Sequence, residues 1–197
     1  MTIEQALAKL GIDASCATKL NNFIGLFEKW NKSINLSAAS SRGDLLGHVN
    51  DSLHVVPRLH AAKRVLDVGS GGGFPVVIAA ICLPDVQFVS LEPVHKKHAF
   101  LRTAARELGL PNLDARAERL DDHADADYDA AMSRATFDLR EWLEAGAKRV
   151  VPGGVVLGFE AVRRDDLPPT ISRDAYNIDG KPRSIVVLPV SAAAAAP

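Results

Sequence analysis

Apolar positions along the chain follow two different rhythms. In the first third they recur at helical spacing. Residues 2–10 form one short amphipathic segment, and Leu20, Phe23, Ile24, Phe27 and Trp30 share one face of a longer helix that Asp13 or Ser15 can cap. Residues 31–41 are polar and read as a loop, anchored by Ile34 and Leu36. A further helix is expected from Asp44 to the neighbourhood of Pro57, with Leu45, Val49, Leu53 and Val56 on one side. Together these segments predict a small helical cap over residues 1–60, laid against one end of whatever follows.

From residue 64 short β-branched runs alternate with helical stretches. Strand-like runs at 65–68, 86–92, 112–117, 128–134 and 155–159 are separated by helical patterns at 76–81, 94–110 and 139–150. Pro152-Gly153-Gly154 reads as a turn before the strand at 155, and residues 163–169 as a charged connection. A turn at Gly180-Lys181-Pro182-Arg183 leads into a last strand at 184–190, suited to an antiparallel hairpin. The alternation predicts an α/β doubly wound, mostly parallel sheet over residues 61–190. Residues 191–197 are low in complexity and expected to fray.

Composition narrows the classes. With 23 Lys and Arg against 24 Asp and Glu the formal charge is −1, so bulk charge gives no support to nucleic-acid binding and any such contact needs a local patch. The candidate patch is His95-Lys96-Lys97-His98 with Arg102, cations at the positive end of a helix dipole. Cys16 and Cys82 have no C-x-x-C partner, which indicates neither a disulfide framework nor a zinc site. The first residues lack a signal-peptide pattern, and no apolar run approaches the roughly 20 residues that span a bilayer. A reduced, cytoplasmic protein that stays off membranes is expected.

The chemistry concentrates at Asp67-Val68-Gly69-Ser70-Gly71-Gly72-Gly73-Phe74-Pro75, a glycine turn between a strand and a helix. Glycines there allow positive φ and close approach of backbone N–H groups to a ligand. Phe74 stands where a dinucleotide fingerprint wants its third small residue, which makes a pyrophosphate a poor guest. Asp67 ends one strand and Glu92 the next, and a carboxylate at Glu92 can accept ribose hydroxyls, each such bond contributing about 1.5–3 kcal/mol. Two acids and no lysine in the loop favour a nucleoside that carries a positive group, a description S-adenosylmethionine meets; an NAD site would look similar. Ala117 and Glu118 fall where an adenine edge is expected, and Arg134 follows the fourth strand as the best candidate for a catalytic-site cation. Its bland alternative is a surface pair with Asp138. His48 and Asp51, three apart on one helical face, could form an acid–base or metal-ligand pair, though a structural hydrogen bond is the simpler reading.

Several segments together resemble a known family. Lys29-Trp30-Asn31, Asn35-Leu36-Ser37, His48 with Asp51-Ser52-Leu53, the glycine loop, Lys96-Lys97 with Phe100-Leu101, Arg116-Ala117-Glu118, Ser133-Arg134-Ala135 and Pro152-Gly153-Gly154 are similar, in order, to the ribosomal RNA small subunit methyltransferase G family, also called glucose-inhibited division protein B. The resemblance implies a seven-stranded Rossmann-like methyltransferase sheet and methyl transfer from S-adenosylmethionine to N7 of a guanine in 16S ribosomal RNA, alone or in the small subunit; a monomer without a metal is expected. Carried over, cofactor contacts fall on Gly69, Phe74, Ala117, Glu118 and Arg134, beside Asp67, Gly71, Gly73 and Glu92 from the loop reading. Lys32, Arg42, Lys96, Lys97 and Arg102 become candidates for RNA phosphates. The chain departs from the pattern at Glu92, where the family has aspartate, and at Phe159-Glu160-Ala161, where it has Leu-Lys-Gly. The second departure reverses a charge near the expected acceptor mouth and keeps open a small-molecule or protein acceptor on the same fold. A non-catalytic cofactor-binding assembly protein is a third reading.

Overall fold

The computed structural model of the chain describes residues 1–37 and 41–191; the end of the expected polar loop and all but the first residue of the expected frayed tail lie outside them. Four helices come first: α1 (Ile3–Leu10), α2 (Cys16–Ile34), α3 (Arg42–Leu53) and the single turn α4 (Val56–Leu59). Strands and helices then alternate as β1 (Arg64–Val68), α5 (Val76–Cys82), β2 (Gln87–Leu91), α6 (His95–Glu107), β3 (Leu113–Arg116), β4 (Tyr128–Ser133), α7 (Leu139–Ala147) and β5 (Val150–Glu160). A hairpin of β6 (Ser172–Ile178) and β7 (Lys181–Pro189) closes the fold. The seven strands run in the order β3-β2-β1-β4-β5-β7-β6, parallel through β5 and antiparallel around β7. The expected doubly wound, mostly parallel sheet is therefore what forms.

Local chemistry sets the boundaries. Thr2 and Ser41 each close a capping box, with Gln5 and Asp44, so α3 starts two residues earlier than apolar spacing alone suggests. Helix α2 continues through the polar Asn31-Lys32-Ser33 and stops where Asn35 turns left-handed at φ 51°. The Pro152-Gly153-Gly154 segment is no turn. It is an irregular stretch of β5, where Gly153 N–H donates to Val190 and Gly154 accepts from Val190, and a Cβ on Gly154 would meet the Asp129 carbonyl oxygen at 2.4 Å. The last turn is Asp179-Gly180, both at positive φ, so β7 begins at Lys181 rather than Ser184.

The helices are distributed unevenly. One sheet face, carrying Val65, Phe88, Ala130 and Met132, shares a single core with α1 to α6, while the other packs mainly on Trp142 and Leu143 of α7. The N-terminal helices thus form a second layer over α5 and α6. Phe23 and Phe27 of α2 meet Phe74 of the glycine turn at 5.2 and 5.3 Å between ring centroids, and Phe27 meets Phe100 of α6 at 5.7 Å. Among the described residues no helix is long and apolar enough to cross a membrane.

Candidate active site

Strand order reverses between β1 and β4, and in open α/β sheets the crevice beyond the carboxyl ends of such a pair is where ligands bind. Asp67 lies in β1 opposite Ser90 and Met132, is 1% exposed, and neither carboxylate oxygen accepts a hydrogen bond. The nearby Ser70 hydroxyl donates instead to the Asp67 carbonyl oxygen, at 3.3 Å. Burial pushes the Asp67 carboxyl up to about 7; the negative charge of Glu92 reinforces the rise and the positive charge of Arg134 opposes it. An unpartnered buried acid at the rim is a place for a cation.

Glu92 is also buried, but its oxygens are engaged: Oε2 accepts from Gly71 N–H and Oε1 from Val94 N–H, each at 2.8 Å. It braces the glycine turn against the start of α6 and keeps lone pairs for further donors. The glycines have separate reasons. Gly69, at φ 72°, lies under Thr136, whose Oγ1 would be 2.2 Å from an added Cβ; Gly72 and Gly73 face Phe27 and Val77 in the core; only Gly71 opens toward free space. Close packing, more than ligand approach, demands most of this run. Phe74 is buried, its ring packed against Phe23 and Phe27 with the Arg134 guanidinium over it at 5.4 Å. Ala117 is exposed just after β3. The Glu118 carboxylate is drawn to Nδ1 of His123 at 2.8 Å, which leaves the backbone at 117–118 to meet a ligand.

Arg134 begins the segment after β4. It pairs with Asp51, Nη1 to Oδ2 at 3.1 Å, and not with Asp138, which caps α7 and pairs with Arg164. The expected His48–Asp51 partnership does not form. The second oxygen of Asp51 accepts from the Tyr176 hydroxyl at 2.8 Å, while the His48 ring lies 5.5 Å from that of Phe74, its pKa lowered by burial and by Arg134. Beside Arg134 opens a cleft of about 1140 Å³ between α3 and the β6–β7 hairpin, lined in part by His48, Asp51, Phe159, Lys181 and Arg183. Among the described residues no cluster of His, Cys, Asp and Glu is arranged to hold a metal.

The family model described as rRNA small subunit methyltransferase G matches residues 16–167. The chain belongs to that family. Curated relatives of the same name include proteins of Aromatoleum aromaticum, 38% identical over 84% of this chain and 83% of its own length, and of Burkholderia pseudomallei, 39% identical over 83% and 75%. The fold is shared with an O-methyltransferase of Bacillus cereus solved with S-adenosylhomocysteine, at TM-score 0.62 and 18% identity, covering 94% of this chain and 96% of that one. A putative O-methyltransferase of Klebsiella pneumoniae aligns at TM-score 0.61 and 18% identity over 95% and 96%.

For a methyltransferase G family member the surface charges are informative. Lys32, Lys96, Lys97 and Arg102 have no carboxylate within 4.0 Å among the described residues, whereas Arg42 is paired with Glu28 at 3.2 Å. Glu160 is no loose acid at the acceptor mouth: Arg173 holds it at 2.7 and 3.1 Å, Ser184 at 2.8 Å and the Arg164 N–H at 2.9 Å. Thr136 and Tyr176 were not singled out from sequence. Thr136 follows Ser133-Arg134-Ala135 by one residue, a usable signal; Tyr176 sits in a strand with no apolar alternation, so nothing marked it.

Proposed function

We propose that this chain transfers a methyl group from S-adenosylmethionine to N7 of a guanine in small-subunit ribosomal RNA. Family membership supplies the acceptor class, and the orphaned Asp67 carboxylate carries the cofactor assignment. That acid fits a ligand whose charge is positive, and it fits a pyrophosphate badly. When bound, S-adenosylmethionine supplies an activated methyl group on a sulfonium. Asp67 gives the crevice a counter-charge, Glu92 braces the loop and offers lone pairs to sugar hydroxyls, and the backbone at 117–118 borders the base.

Guanine N7 has a lone pair and no proton, so the protein has no proton to remove and its task is alignment of acceptor and methyl at about 3–3.5 Å. Asp51 accordingly serves Arg134 and Tyr176 instead of acting as a base. Arg134 stands where the crevice meets the cleft, suited to orient the incoming base or a neighbouring phosphate, and Lys32, Lys96, Lys97 and Arg102 are free to contact phosphates without reading sequence. The small-molecule or protein acceptor loses its support, since it rested on Glu160 and that charge is neutralised internally. The protein acts as a monomer in the cytoplasm, where its acceptor is assembled.

Purified protein and labelled cofactor, incubated with small subunits from cells that lack this activity, are expected to yield one labelled 7-methylguanosine on mass-spectrometric mapping. Absence of transfer at saturating cofactor overturns the assignment.

A further inference from the structure

Arg134 reaches its position by means that lie outside its own strand. It is followed by Ala135 at φ 58°, a left-handed conformation that costs a non-glycine residue energy, and by Thr136, whose hydroxyl bonds to the Gly69 carbonyl oxygen at 3.2 Å. Its guanidinium lies over the rings of Phe74, at 5.4 Å, and Phe159, at 5.9 Å, which fix its plane but leave it free to slide. Asp51 supplies the remaining restraint through Nη1, and the pair retains only 17% and 16% side-chain exposure. Asp51 is itself held: its other oxygen receives the Tyr176 hydroxyl. Three elements distant in sequence, α3, the segment after β4, and β6, therefore meet in one hydrogen-bonded line at the cleft wall. Tyr176 lies beyond residue 167, where the family match ends, so the last member of the line belongs to a strand outside the matched residues.

We infer that Asp51 and Tyr176 are positioning residues for methyl transfer, Tyr176 orienting the Asp51 carboxylate and Asp51 fixing the Arg134 guanidinium at the junction of crevice and cleft. The inference rests on the methyl-transfer reading above. A fork-shaped cation on a long, flexible stem is useful for orienting an acceptor only if its direction is set before the acceptor arrives, and a carboxylate with one donor already fixed gives it that direction. A tie that merely joins α3 to β6 would matter equally whether or not Arg134 is present.

That difference is the test. Multiple-turnover transfer to unmodified small subunits is measured for Asp51→Asn and Tyr176→Phe, each in the wild-type and the Arg134→Ala backgrounds, with urea melts alongside. For transfer assisted by positioning, Asp51→Asn is expected to lower kcat about 10- to 100-fold and Tyr176→Phe about 3- to 10-fold, with KM for subunits changed less than about threefold. In the Arg134→Ala background both are expected to cost less than about twofold more. Equal losses in the two backgrounds, or wild-type kcat in both variants, overturn the inference. If Asp51→Asn does not fold, Tyr176→Phe, which removes a single hydroxyl, decides the matter by the same comparison. A wild-type protein that labels no subunit defeats the methyl-transfer reading and this inference with it, whereas an active wild type with unaffected variants defeats this inference alone.

Discussion

Arg173 reaches from β6 across β7 to grip Glu160 at the end of β5, Nε to Oε2 at 2.7 Å and Nη2 to Oε1 at 3.1 Å. Burial by itself would raise the Glu160 pKa, but bonds from Arg173, the Arg164 N–H and Ser184 outweigh it and hold the carboxyl below its ordinary value. A carboxyl with a depressed folded pKa stabilises the fold above its unfolded pKa, and that contribution is lost as pH falls through the folded value. Removing one partner of such a pair is strongly destabilising. Arg173→Ala is expected to cost about 3–5 kcal/mol in urea unfolding, and Glu160→Lys, which puts two cations together, at least as much. A lysine at this position is consequently expected to lower activity by unfolding the hairpin; a fully stable Glu160→Lys protein would contradict this account.

Asp67 gives the opposite sign. Its carboxyl is raised to about 7 by burial, so between pH ~4 and ~7 the native state binds a proton that the unfolded chain has released. Stability of the ligand-free protein is expected to fall across that window, by up to about 4 kcal/mol if this group acts alone. Asp67→Asn removes the dependence, so its advantage over wild type grows as pH rises from 4 to 8 in urea titrations. A cationic ligand favours the ionised acid, and calorimetry at pH 6.5 in buffers of different ionisation enthalpy is expected to show proton release when S-adenosylmethionine binds.

Gly69→Ala tests the turn. A methyl there meets Thr136 and requires φ 72°, which costs about 1–2 kcal/mol before any clash. Cofactor affinity measured by calorimetry is expected to drop at least tenfold, with part of the loss recovered in Gly69→Ala/Thr136→Gly. No recovery would assign the loss to backbone strain alone.

Cations free of carboxylates separate from one already paired. Reversing Lys96, Lys97 and Arg102 together to glutamate is expected to raise KM for subunits about 10-fold or more and to flatten its salt dependence by about one unit of slope per lost phosphate contact. Arg42→Glu is expected to do less, because Arg42 is paired with Glu28. Equal effects would refute the distinction.

The parallel half of the sheet was legible because its strands are short apolar runs bounded by turn residues, and the glycine turn because its composition has few other uses. Partners of charged side chains were not. Local sequence offers Arg134 only Asp138 as a partner, yet its partner is Asp51, 83 positions away in the chain. His48 and Asp51 share a helical face and still do not bond, because Arg134 and Tyr176 claim the carboxylate first. Strand β6 is hard to read because it opens on the polar run Ser172-Arg173-Asp174, and its pairing is imposed by the Asp179-Gly180 turn and by β7.

Phe23 and Phe27 form the floor on which the glycine turn rests, although they come from α2 in the N-terminal helical layer and not from the sheet. Filling the crevice is therefore expected to steady the helix whose aromatic face carries the turn. Amide hydrogens along residues 16–34 are expected to exchange more slowly once the crevice is filled, so α2 serves as a reporter of loading that can be read from outside.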